Sequence, residues 1–230
     1  MQLSLLSYHY VMSKAAFLFI AAFLLLLNLF AAGSAIDQQT EFIIALGFIL
    51  LLGIPHGAID HVLYLQRSRL STARFIVYYL ILTGLNVALW LSWPIFSYVL
   101  FLSISAYHFG QSQFSHYFEN RYRTDGILYM SWGTALLSAL ILFNRPELLE
   151  MSRSIADISG FALVNESVWM LGICFASAGM TLALLIQAVL QKRLRLEQLL
   201  MELLITGLLL MSFKLFSFLI GFSLYFLTLH

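Results

Sequence analysis

Long apolar segments, repeated along the whole sequence, constrain the fold of this chain more than any other feature. Eight of them come near the length of about 20 residues that an α-helix needs to cross the hydrocarbon core of a bilayer. They run over residues 15–33, 41–60, 74–93, 97–118, 127–143, 168–190, 198–213 and 215–230. With 61% hydrophobic and only 10% charged residues, a soluble fold of this size could not bury so much apolar surface. The sequence therefore predicts a single all-α membrane domain over residues 1–230, a polytopic integral membrane helix bundle of about eight transmembrane helices.

The junctions between these segments carry local signals. Pro94 follows Trp93 between the third and fourth segments, and a tight turn is expected there because proline cannot extend the helix before it. Lys214 alone separates the last two segments. At the N-terminus, Lys14, the first apolar run and residues 31–35 resemble a cleavable signal peptide. The run is longer than a signal core, however, which favours an uncleaved first helix.

The distribution of Lys and Arg predicts the orientation of the bundle. With the N-terminus in the cytoplasm, only three basic residues lie on the opposite side, namely Arg145, Arg153 and Lys214. Nine lie on the cytoplasmic side: Lys14, Arg67, Arg69, Arg74, Arg121, Arg123, Lys192, Arg193 and Arg195. We therefore expect a multi-pass protein of the cell membrane with a cytoplasmic N-terminus. The net charge of +1 and the lack of a basic run exclude nucleic acid as a partner. The expected partner of the apolar helices is membrane lipid.

Histidines cluster where the sequence is otherwise apolar. Residues 53–61 read Gly-Ile-Pro-His-Gly-Ala-Ile-Asp-His, residues 107–116 contain His108, and His230 ends a third apolar run. An imidazole in hydrocarbon needs a partner, and a transition-metal ion is one that several imidazoles can share. At about 1.5 Å per residue, His56, His108 and His230 lie roughly 22, 17 and 22 Å from the outer starts of their helices. We therefore predict that these three histidines bind one metal ion, since facing helices build the metal sites of bundles.

Polar neighbours can complete such a site. Asp60 lies one turn beyond His56 and can orient a ligand imidazole by accepting its N–H. In the fourth segment, His108 and Gln111 share a polar face with two serines. Candidates for orienting the ligands or for an additional ligand are Asp60, His61, Gln111 and His116. The alternative is structural, with His56 paired to Asp60 near the interface and His116 solvated near the cytoplasmic boundary.

Aromatic residues near the histidines are candidates to line a slot for a long apolar substrate. They are Tyr64, Tyr107, Phe109, Phe114 and Tyr225. At helical spacing, aromatic side chains also pack in the core, so the pattern is compatible with both roles.

One carboxyl group lies within the seventh apolar segment. Glu202 follows Glu197 by about one helical turn, near the predicted cytoplasmic end. Such a group either snorkels to the interface or pairs two helices by hydrogen bonds, and the sequence is compatible with both.

At these motifs the chain resembles the bacteriorhodopsin-related (Brp/Blh) family of membrane proteins, which act as β-carotene 15,15'-dioxygenases. The matching pieces are residues 53–61, residues 105–111 (Ser-Ala-Tyr-His-Phe-Gly-Gln) and residues 221–230 (Gly-Phe-Ser-Leu-Tyr-Phe-Leu-Thr-Leu-His), and the resemblance starts near residue 40. It implies an all-helical integral membrane enzyme that splits a carotenoid, β-carotene, at its central double bond with O₂ to give two molecules of retinal. It also implies Fe(2+) as the cofactor, held by the histidines that correspond here to His56, His108 and His230.

The chain departs from the family pattern at its end. The family has a second histidine four residues after the last motif, in a His-x-x-x-His arrangement, whereas this sequence stops at His230. We expect from this a product truncated at its C-terminus, and the loss of a ligand would put its activity in doubt.

Two other functions are compatible with the same residues. A non-enzymatic carotenoid- or retinal-binding protein, or an opsin-assembly protein, needs an apolar slot but no stoichiometric iron. A bis-histidine haem protein for electron transfer would use His56 and His108 as axial ligands and would show a Soret band.

Overall fold

A computed structural model describes residues 2–31, 40, 43, 46–47, 72–118, 122–153, 162, 164–165 and 167–229. In these ranges the regular elements are all α-helices, which confirms the all-α fold class. In chain order they are α1 (Gln2–Ala31), α2 (Thr72–Ser92), α3 (Pro94–Phe114), α4 (Arg123–Phe143), α5 (Arg145–Arg153), α6 (Ser167–Leu190), α7 (Leu196–Leu215) and α8 (Phe218–Thr228).

Four of the described helices are long and apolar enough to cross a membrane. They are α2, α4, α7 and the part of α6 from Val168 to Leu190. Residues Lys14–Leu29 of α1 and the whole of α8 are apolar but shorter, and the serine, histidine and glutamine side chains of α3 lower the hydropathy of that helix. The described part of the chain therefore forms a membrane helix bundle with four full-length spans rather than the eight that the sequence predicts. The predicted span 41–60 lies mostly outside the described residues.

Two junctions predicted from the sequence are found in the structure. α2 ends at Ser92 and α3 begins with Pro94 in its first turn, which confirms that the helix breaks between the third and fourth apolar segments. α7 continues past Lys214 to Leu215, and α8 begins at Phe218. The last two segments are thus separate helices, but the break lies after Lys214 rather than at it.

α4 begins earlier than its apolar sequence suggests. It starts at Arg123 rather than at residue 127, because its first turn is stabilised by polar contacts. Asp125 accepts a hydrogen bond of 2.9 Å from the backbone N–H of Tyr122, and it forms an ion pair of 2.6 Å with Arg193.

Small residues bring α3 and α4 into backbone contact. Gly110 of α3 lies against the backbone of Tyr129, and Gly133 of α4 lies against the backbone of Ala106. A Cβ at either glycine would collide with the facing carbonyl group. Close approach through small residues is how transmembrane helices gain packing without a hydrophobic drive between them. Because 106 meets 133 and 110 meets 129, the two helices are antiparallel.

α4 lies at the centre of the described bundle and packs most extensively against α3 and α6. Hydrogen bonds link α4 to α6 and to α7: Thr181 of α6 donates to the Ser131 hydroxyl at 3.0 Å, and the Trp132 indole donates to Thr206 of α7 at 3.4 Å. The Phe216 ring, between α7 and α8, meets the Phe23 ring of α1 edge-on at 5.9 Å between centroids. α1 therefore packs against the core at the junction between α7 and α8.

The direction of α8 follows from two contacts along α4. At its start, the backbone N–H of Phe218 donates to the Glu147 carboxylate at 2.8 Å, just beyond the C-terminal end of α4. Farther along α8, the Tyr225 ring lies 6.4 Å from the ring of Trp132, near the middle of α4. α8 is therefore antiparallel to α4, as α3 is. α3 and α8, the fourth and eighth predicted segments, run in the same direction, as the sequence predicts.

Candidate functional site

The three predicted metal ligands fall on different parts of the chain. His108 lies on α3 among the described residues, whereas His56 and His230 lie outside them. Asp60, His61 and Tyr64 also lie outside the described residues. Among the residues that are described, no group of three or more His, Cys, Asp or Glu side chains is placed to hold a metal ion. The meeting of the three imidazoles therefore stays a prediction.

His108 lies on an exposed polar face of α3. His108, Ser112 and Ser115 are exposed and Gln111 is half-buried, so the polar stripe predicted from their spacing lies on one side of the helix. The buried residues of α3 are Ser97, Ala106, Phe109, Gly110, Gln113 and Phe114. Those from Ala106 onward lie on the opposite side, against α4, α7 and α8. A metal ion on His108 would therefore sit on the face of α3 turned away from these three helices.

Three of the predicted slot residues pack in the aromatic part of the core. Phe109 meets Tyr225 edge-on with 5.3 Å between ring centroids, and Phe114 meets Trp132 edge-on at 5.6 Å. Phe109, Phe114 and Tyr225 are all buried. Such contacts stabilise a core through ring geometry as well as burial. In this structure the three rings are packed, so their role as a substrate slot stays a prediction that requires an opening between them.

Tyr107 is the described slot candidate that a ligand can reach. Its side chain is 39% exposed, and its ring contacts the Tyr129 ring edge-on at 5.9 Å between centroids. Tyr107 is therefore next to His108 in the sequence and lies outside the buried core.

Two of the sequence motifs contact each other. Phe109, the neighbour of His108 in the segment 105–111, lies 5.3 Å from the Tyr225 ring and 6.4 Å from the Phe222 ring, centroid to centroid. Both partners belong to α8 and to the C-terminal motif that ends at His230. The fold thus brings the second and third histidine motifs together, although they are more than a hundred positions apart in the sequence.

A buried carboxyl group links α7 to α3. Glu202 is 1% exposed. It accepts a hydrogen bond of 2.6 Å from the Gln113 side-chain amide and another of 2.6 Å from the Tyr117 hydroxyl. Glu202 is therefore a helix-pairing group, and the snorkelling alternative is wrong. Gln113 was missed by sequence reasoning, although its spacing of four residues from Tyr117 is the signal that could have found it.

His116 lies beside this cluster rather than beside His108. His116 is half-buried, and its ring is tilted by 45° against the Tyr117 ring with 3.8 Å between centroids. Its role as an additional metal ligand stays a prediction.

An ion pair stabilises the end of the bundle where α4 begins. Asp125 and Arg193 form a contact of 2.6 Å, and the Arg193 guanidinium also lies 4.5 Å from the ring centre of Phe118 and 4.2 Å from that of Tyr122. Cation–π contacts of this kind add to the ion pair. The loop before α7 is thereby attached to the start of α4.

Comparison with known proteins identifies one family. A family model described as beta-carotene 15,15'-dioxygenase matches residues 47–230. A curated relative named "Beta-carotene 15,15'-dioxygenase", from uncultured marine bacterium 66A03, is 33% identical over 78 residues. That alignment covers 31% of this chain and 28% of the relative, so it spans less than a third of the relative's length. No solved structure gives a significant match.

Proposed function

Since this chain belongs to the β-carotene 15,15'-dioxygenase family, we propose that it is a membrane enzyme that cleaves a carotenoid oxidatively. The reaction is the attack of O₂ on the central double bond of β-carotene, which breaks that bond and gives two molecules of retinal. Both oxygen atoms enter the products, so no external reductant is required. The observation that carries the proposal is the family match over residues 47–230, which contains all three histidine motifs.

We propose Fe(2+) as the cofactor, with His56, His108 and His230 as its ligands. Neutral imidazoles suit iron, and a partly filled coordination shell leaves positions for O₂. When bound, iron supplies the activation of O₂ that a closed-shell polyene needs. The position of His108 supports this role, since its imidazole lies on an exposed polar face of α3 instead of being enclosed between α3 and α4.

The described residues also suit a substrate dissolved in the bilayer. Tyr107 and His108 are both exposed, so a polyene can approach this side of α3 laterally through the hydrocarbon. Phe109, the next residue on α3, is buried and packs against Tyr225 of α8. In this proposal α3 presents the metal ligand on one face and keeps its other face for packing.

We further propose that the protein lies in the cell membrane with a cytoplasmic N-terminus. The four apolar helices support a membrane location, and the nine basic residues on one side of the predicted topology support the orientation. Fusing a periplasmic reporter at each end separates the two possible orientations.

The test is expression of the full gene product in cells that make β-carotene. Retinal formation and loss of the orange colour are expected, and His108→Ala should abolish both while the protein remains in the membrane. His9→Ala is the matched control, because His9 lies outside the three motifs. If membrane-inserted protein forms no retinal, or if His108→Ala forms as much as the wild type, the proposal is wrong.

A further inference from the structure

The buried hydrogen bonds of Glu202 connect α7 to α3 and the turn that follows it. Glu202 lies six residues, roughly 9 Å, from the first residue of α7. A carboxyl group in hydrocarbon is expensive unless polar groups satisfy it. Here both carboxylate oxygens are used, one by the Gln113 amide and one by the Tyr117 hydroxyl. The arrangement thus fixes α7 to the C-terminal part of α3.

The two hydrogen bonds to the Glu202 carboxyl group restrain the rotation of α3 about its axis as well as the distance between α3 and α7. Gln113 and Tyr117 are four positions apart, so they lie one turn from each other on the same side of α3 and the turn that follows it. A rotation of α3 about its axis would break one bond or both. The contacts at Gly110 and Gly133 set the separation of α3 and α4, whereas Glu202 ties α3 to a third helix.

His108 belongs to the same rigid helix as Gln113. The two positions are about 140° apart around the helix axis, since successive residues are about 100° apart. While Gln113 is held inward by Glu202, His108 must point to the opposite, exposed side. The direction of the imidazole therefore depends on a carboxyl group that does not contact it.

From this geometry we infer that Glu202 is a positioning residue, which sets the rotation of α3 and thereby the direction in which His108 presents its imidazole. The inference rests on the proposed function: only if His108 binds the metal ion does the orientation of its imidazole affect metal binding and turnover. Glu202 acts through Gln113 and Tyr117 and has no contact with substrate in this role.

The first experiment separates positioning from stability. In the triple variant Gln113→Leu, Tyr117→Phe, Glu202→Met the three members of this hydrogen-bonded cluster are replaced together, so none of them leaves another of the three unsatisfied and we expect the bundle to remain folded. We expect its thermal unfolding to match the wild type while kcat falls roughly tenfold at unchanged KM and bound iron decreases. Glu202→Gln keeps acceptor and donor atoms for both partners after a flip of the Gln113 amide, and its kcat should stay within about threefold of the wild type.

A matched control lies on the same helix. Glu197 is exposed, and its contact with Arg195 is 4.0 Å long at the surface. Glu197→Met should change neither kcat nor iron content. If the triple variant keeps wild-type kcat and iron, the positioning role is wrong. If Glu202→Gln loses as much as the triple variant, hydrogen-bond geometry is not the cause and the inference also fails.

A second measurement does not depend on activity. Nitroxide labels at Ile104 of α3 and Leu203 of α7, both exposed, report the rotation of α3 in a Cys174→Ser background. The label–label distance distribution should shift or broaden in the triple variant and stay narrow in Glu202→Gln. An unchanged distribution in the triple variant overturns the inference. Absence of retinal and iron from the wild type overturns the proposed function instead, while the distances still decide whether Glu202 holds α3.

Discussion

Gly110 of α3 lies directly against the backbone carbonyl group of Tyr129 on α4. A methyl group at position 110 would collide with that carbonyl, which cannot rotate away because it belongs to a helix backbone. We expect Gly110→Ala to lower the free energy of unfolding by roughly 1–3 kcal/mol, the usual cost of overpacking. Thermal unfolding of the detergent-solubilised protein measures the effect.

The control for this variant is an exposed glycine. Gly207 lies within α7 and has no atom within 4 Å of an added Cβ, so Gly207→Ala should not lower stability and should raise it by up to about 1 kcal/mol, because alanine favours the helix over glycine. Equal stability of the two alanine variants would show that α3 and α4 are not in backbone contact.

The Asp125–Arg193 pair should stabilise the bundle end where α4 starts. The Asp125 side chain is 4% exposed and that of Arg193 is 17% exposed, so the pair is only weakly screened by water. Asp125→Asn should cost roughly 1–3 kcal/mol, because it weakens a mostly buried ion pair and the first turn of α4. Urea or SDS unfolding followed by circular dichroism gives the measurement.

A surface ion pair provides the comparison for Asp125. Glu197 and Arg195 meet at 4.0 Å with side chains 87% and 62% exposed, and Glu197→Gln should change stability by less than about 1 kcal/mol. Similar losses in both variants would mean that burial does not strengthen the Asp125 contact.

Much of the helix architecture was readable from the sequence because its causes are local. The turn before Pro94 follows from a missing backbone donor, and the polar stripe at His108 follows from helical spacing. The common direction of α3 and α8 followed from counting apolar segments along the chain. These properties depend on residues that are close in sequence or on their order.

The parts that sequence reasoning missed depend on distant residues. Nothing near Gln113 in the sequence shows that Glu202, on another helix, accepts its hydrogen bond. The aromatic pattern likewise did not reveal that Phe109 would pack against Tyr225, since packing and substrate contact both place aromatic residues at helical spacing. Such pairings arise from the way whole helices pack against one another. The periodicity of apolar residues within one helix does not predict that packing.

Iron removal should test the metal proposal independently of the fold. Treatment with a chelator should abolish retinal formation, and Fe(2+) but not Zn(2+) should restore it, because zinc has no redox chemistry with O₂.

His108→Ala should lower bound iron per protein by roughly tenfold or more, as measured by plasma mass spectrometry. A Soret band in the purified wild type would favour the haem alternative instead, and active protein without iron would contradict the proposed cofactor.

Tyr107 and Phe114 distinguish a substrate slot from core packing. Tyr107 is partly exposed next to His108, so Tyr107→Ala should raise KM for the carotenoid severalfold while the loss of its contact with the Tyr129 ring lowers stability by only about 1–2 kcal/mol. Phe114 is fully buried against Trp132, so Phe114→Ala should cost roughly 3–5 kcal/mol and reduce the amount of folded protein, with KM unchanged in the molecules that fold. Retinal formation at varied carotenoid concentration, normalised to folded protein, gives both values. The opposite pattern, with KM raised only by Phe114→Ala, would place the substrate between the rings of the core and not along the exposed side of α3.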